Sequence, residues 1–60
     1  MQVSKFTNES TGCSAAVVRT PKGYDVIATD DDAGEVFYSR HGFASQDSAE
    51  THARNIMVGA

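Results

Sequence analysis

Gly42-Phe43-Ala44-Ser45, followed from Gln46 onward by Ala49, Ala53, Ile56 and Met57 at helical spacing, is the stretch that decides the fold. Phe43 belongs to an aromatic strand end, and His41-Gly42 reads as the break that ends the strand. Ser45 stands where a helix cap belongs. Its hydroxyl can accept from the amide of Asp47 or Ser48, and Asp47 and Glu50 lie near the positive helix end. Ala49, His52, Ala53, Ile56, Met57 and Ala60 then fall on one stripe at i, i+3, i+4, i+7, i+8 spacing. This predicts one amphipathic helix over 45–58, closing a small sheet.

Working outward, Glu35 to Arg40 reads as a strand carrying Val36, Phe37 and Tyr38. Before it, Asp30-Asp31-Asp32-Ala33-Gly34 is a polar turn. Tyr24 to Thr29 is a second strand, returning antiparallel to a third over Cys13–Arg19 with Val17 and Val18 at its centre. Thr20-Pro21-Lys22-Gly23 joins them by a turn with a mechanism: proline presets φ at the first central position, and glycine completes the reversal without steric cost. Asn8 to Gly12 is a loop by composition. Residues 1–12 read as an edge strand or tail, with Met1, Val3 and Phe6 apolar. The fold class expected is α+β: a three- or four-stranded antiparallel β-meander over 13–40, one C-terminal α-helix packed on one face, and 1–60 as a single small domain.

A sheet covered on one side should alternate apolar with polar residues. Tyr24, Val26 and Ala28 make an apolar face, yet Ile27 points the other way. Likewise Val17 opposes Val18, and Phe37 opposes both Val36 and Tyr38. One helix covers one face only. The leftover set, Val18, Ile27 and Phe37, is expected to form an exposed apolar patch, the kind of surface that marks protein contacts. The competing expectation is that the N-terminal segment folds over it.

Size points the same way. Sixty residues bury only about 60% of the surface an unfolded chain exposes, so domains of this length usually need a disulfide, a metal or a partner subunit. The single cysteine, Cys13, cannot form an internal disulfide. Cys13, His41 and His52 are one ligand short of a structural zinc set and lack paired spacing. Oligomerisation is the remaining device.

The eight Asp/Glu outnumber the five Lys/Arg, and a domain that neutralises phosphates usually shows a basic face. Lys5, Arg19, Lys22, Arg40 and Arg54 are spread with acids between them. The balance argues against a general nucleic-acid binder. No apolar run approaches membrane-spanning length and no charged-then-apolar leader opens the chain, so a soluble, cytoplasmic protein is expected. Asn8-Glu9-Ser10 matches a glycosylation sequon that carries no weight without a secretory signal.

Asp30-Asp31-Asp32-Ala33-Gly34-Glu35 invites a calcium reading, but counting from Asp30 the regular loop fails where Gly34, Glu35 and His41 stand. A solvated hairpin turn accounts for it, and weak binding of a divalent ion by the clustered carboxylates of Asp30–Asp32 stays open. Cys–His chemistry needs an exposed, electropositive thiolate with a base in reach, and nothing in the sequence brings Cys13 to His41 or His52. No nucleophile elbow surrounds any serine. No catalytic residue, metal ligand or cofactor is expected. Arg19, Lys22 and Arg40 are the candidate anion or nucleic-acid contacts, with Arg19 and Arg40 on neighbouring strands as a fork.

Gly34-Glu35-Val36, Gly42-Phe43-Ala44-Ser45 and Ala49-Glu50 resemble the YegP-like repeat of uncharacterised bacterial proteins. That repeat has a Gly-Glu-Val/Ile strand, a Gly-Tyr/Phe-x-Ser helix start and an Ala-Glu pair within the helix. The resemblance covers about residues 16–57. This chain departs from it in a longer acidic turn and in having one copy where the family often has two in tandem. The resemblance implies a non-enzymatic module that pairs sheet to sheet, and for a single copy a dimer. The alternative resembles the three-stranded DNA-reading arm domains of phage-type integrases, which need a basic, polar sheet face. The expected function is therefore a small non-catalytic protein-interaction module. It is homodimeric through its uncovered sheet face or an edge strand, or docks on another protein in the manner of a phage-type inhibitor of a host protein.

Overall fold

A computed structural model describes residues 1–59; the stripe position assigned to Ala60 lies outside the described residues. Four strands run β1 Gln2–Asn8, β2 Cys13–Thr20, β3 Gly23–Asp30 and β4 Glu35–Phe43, followed by α1 Gln46–Gly59. They form one antiparallel sheet in the order β1-β2-β3-β4, with α1 packed chiefly over the central pair. The α+β meander expected from the sequence is the fold observed, with β1 as its fourth strand.

The connections follow from their side chains. In the β1–β2 turn the Asn8 carbonyl accepts from the amides of Thr11 and Gly12, and Asn8 Oδ1 accepts from the Ser10 amide. In the β3–β4 turn Asp30 Oδ1 accepts from the amides of Asp32 and Ala33, the side-chain-to-backbone bond that makes aspartate a turn former. At the helix start the Ser48 amide donates to Ser45 Oγ at 3.2 Å, which satisfies an otherwise unpartnered N–H.

The core is built from small residues. Ala15, Val17, Val26 and Ala28 of the central strands meet Ala49, Ala53 and Met57 of the helix. Alanine on both surfaces lets the helix lie close to the sheet. Val3, Phe6, Cys13, Tyr24, Tyr38, Phe43 and Ile56 pack around this seam. Among the described residues no fully buried side chain is larger than Val17 and Val26. Each buried valine contributes about 1.5–3 kcal/mol, so so few of them make a modest core.

Three irregularities set which side chains reach it. Gln2 faces Val18 and Ser4 faces Val17, which leaves Val3 as an extra residue. The bulge lets both Val3 and Phe6 pack on the core, which strict alternation forbids for residues three apart. Between Val36, opposite Thr29, and Tyr38, opposite Ala28, Phe37 is extra. Consequently Val36 and Tyr38 lie on opposite faces, correcting the expectation that Phe37 opposes both. The third irregularity lies at His41-Gly42, where Tyr24 faces Phe43 and Val26 faces Arg40. Gly42 takes a φ of 85° there, so the strand passes through the glycine by a bulge and reaches Phe43. The pair that was expected to end the strand bends it instead, because glycine adopts that conformation without a Cβ penalty.

Candidate functional site

The face of the sheet turned away from α1 consists of cross-strand rows. One row reads Thr7, Ser14, Thr29, Val36; the next reads Lys5, Ala16, Ile27, Ser39; the third reads Gln2, Val18, Asp25, with His41 beside Asp25. Val18 and Ile27 are half-buried by their neighbours and lie outside the core assembly. Phe37 stands in the bulge, 53% exposed, beside Val36 at 58%. Ala16, Val18, Ile27 and Val36 therefore form a low apolar band edged by polar side chains, Lys5 and Gln2 of β1 among them. No element of the described residues covers it.

Polar groups frame the band. At one end Ser14, on a buried position, donates from Oγ to Asp31 Oδ2 at 2.7 Å, with Thr7 Oγ1 at 3.4 Å. At the other end His41 Nδ1 lies 2.8 Å from Asp25 Oδ2. The His41-Gly42 bulge swings the imidazole over Asp25. The imidazole is 68% exposed, while the Asp25 side chain is only 18% exposed. Thr20, Pro21, Lys22 and Gly42 complete a shallow recess of about 460 Å³ around this pair.

The cationic candidates are not gathered on this face. Arg19 and Arg40 are on β2 and β4, separated by β3, and not on neighbouring strands as expected. Arg19 alternates with Val18, and Arg40 pairs with Val26, so both positions belong to the helix-covered side. The Arg40 guanidinium lies 5.4 Å from the centre of the Phe43 ring, a cation–π contact. Only Lys22, in the β2–β3 turn, approaches the outer recess. The described residues thus present no joint basic surface made of these three.

On the helix side His52 sits between two aromatic rings, its centroid 5.6 Å from Tyr38 and 5.1 Å from Phe43. The Tyr38 hydroxyl and His52 Nε2 are 2.6 Å apart. His52 and His41 are therefore engaged with different partners on opposite sides of the sheet. Cys13 is half-buried against the core, its thiol pointing at the Thr11 carbonyl at 3.7 Å. Among the described residues no three His, Cys, Asp or Glu side chains converge as a metal site, and no helix is long and apolar enough to cross a membrane.

No family model matches this chain, and no curated protein or solved structure matches it. Sequence reading missed Val36 as a member of the outer face because a one-residue bulge reverses the alternation after it. It also missed the Asp25–His41 pair, which depends on the second bulge. The glycine at 42 was the available signal, since an isolated glycine in a strand often marks such a bend.

Proposed function

We propose that this protein is a small non-catalytic interaction module that forms a homodimer through the uncovered face of its sheet. The observation that carries this reading is the apolar band of Ala16, Val18, Ile27 and Val36 on a face that no other element of the described residues covers. A second sheet layer is the standard partner for such a face.

Two physical arguments favour a second copy as the occupant. The first is need: a core of four alanines, two valines and one methionine is thin for a chain of this size, and oligomerisation adds buried apolar area. The second is area. The molecule measures 31 × 19 × 15 Å, so its broadest face offers at most roughly 600 Å² per copy, and a pair reaches at most the lower end of specific interfaces. Such an interface supports a modest, micromolar dimer and not a permanent one. The resemblance to the YegP-like repeat, which pairs sheet to sheet, points the same way.

Edge-to-edge pairing is the less favourable geometry. Both outer strands carry bulges, at Val3 in β1 and at Phe37 and His41-Gly42 in β4, and bulges twist an edge away from a would-be partner strand. The central band of the face carries side chains no longer than isoleucine. Ile27→Lys tests the reading, because it places a charge in the middle of that band without touching the core. Loss of self-association with an unchanged far-UV spectrum supports it. Unchanged association would remove its main support.

A further inference from the structure

Any partner that covers Val18 and Ile27 must also cover Asp25. Asp25 stands directly across from Val18 and two residues before Ile27 on the same face of β3. Its side chain is already mostly withdrawn from water, and its side-chain partner among the described residues is the exposed imidazole of His41, 2.8 Å away. Removing the remaining water from a carboxylate is costly unless a counter-charge faces it.

We infer that association through this face takes up a proton at the His41–Asp25 pair, so that the dimer tightens as pH falls through the histidine range. This inference rests on the proposed sheet-face dimer and names its regulation. With His41 neutral, the covered pair carries a net negative charge. With His41 protonated, the pair is neutral and each charge has its partner. The associated state therefore holds the proton more tightly than the free protein, and by linkage protons drive association.

Among the described residues no other cation lies within ion-pair distance of Asp25. Lys22 lines the same recess but reaches it from the turn. Lys5 lies in the neighbouring row, across two strands from Ser39. Arg19 and Arg40 occupy positions on the helix-covered side, Arg40 over Phe43. The N-terminal ammonium donates to the Arg19 carbonyl at 3.0 Å. The helix contributes nothing to this face. His52, the other histidine, faces Tyr38 and Phe43 on the opposite side of the sheet.

The test is sedimentation equilibrium of the full chain at about pH 6 and about pH 8, with Asp25→Asn and His41→Gln beside the wild type and each fold checked by circular dichroism. The dimer of the wild type is expected to be about tenfold tighter at the lower pH. Asp25→Asn removes the charge that needs neutralising, so at the higher pH its dimer should match the wild type at the lower, and it should no longer tighten as pH falls, because a protonated His41 then lacks its partner. His41→Gln should be insensitive to pH and weak at both. A wild-type dimer of equal strength at both values, or one tighter at the higher pH, overturns the inference and leaves the dimer standing. A monomer at both values overturns the dimer and the inference with it.

Discussion

Gly23 and Phe43 meet backbone to backbone across β3 and β4: a Cβ placed on Gly23 would lie 2.5 Å from the Phe43 carbonyl oxygen. The glycine also holds a φ of 139°, which side chains rarely adopt. Its position is therefore fixed twice, by conformation and by space, and the obstacle is backbone that cannot swing aside. Gly23→Ala should cost about 2 kcal/mol or more. Urea unfolding checks this, with a lower midpoint and an unchanged slope expected.

Tyr38 and His52 tie β4 to the helix through their 2.6 Å contact. Tyr38→Phe removes one hydrogen bond and keeps the ring, so a loss of about 1 kcal/mol is expected. His52→Ala should cost more. It strands the Tyr38 hydroxyl and empties the space between the Tyr38 and Phe43 rings. Equal losses in thermal or urea unfolding would contradict this arrangement.

Glu50 joins the helix to β1 by accepting from the Ser4 hydroxyl and from Gln46 Nε2. The Ser4 bond, then the Gln46 bond, and the Arg54 charge last, hold its pKa below the ordinary 4.5, against the opposing effect of burial. A carboxyl with a depressed folded pKa contributes stability that is full above its unfolded value and is lost as pH falls through the folded one. Stability should therefore decline below about pH 4.5. Ser4→Ala should flatten that decline, as read from unfolding midpoints measured across the acid range.

Val36 and Val58 are both exposed valines, at 58% and 86%, but only Val36 shares the outer sheet face with Ile27. Val36→Asp should weaken self-association severalfold by placing a charge against an apolar partner surface. Val58→Asp, near the end of the helix, should leave it unchanged. Sedimentation of the two variants side by side makes the comparison.

Much of this architecture is legible in the residues. Ser45 as cap, Ala49, Ala53 and Met57 as the buried stripe, and Thr20-Pro21-Lys22-Gly23 as the tight turn all rest on local chemistry that acts within a few residues. What escapes is whatever depends on register. A single extra residue at Phe37 exchanges the faces of everything beyond it, so Val36 and Tyr38 could not be assigned by counting alternate positions. The same holds for Val3, whose bulge is visible only once β1 is paired with β2. The separation of Arg19 from Arg40 by a whole strand follows from strand order, and the clustering of Asp25 with His41 from a glycine bend. Neither is encoded in spacing along the chain.

Pairing of the uncovered face with its own copy is what the proposed function requires. Sedimentation equilibrium of the wild type under reducing conditions, from low to high micromolar protein, tests it most directly. A dimer through this face gives a reversible monomer–dimer equilibrium within that range, abolished by Ile27→Lys. A monomer at every concentration would contradict it.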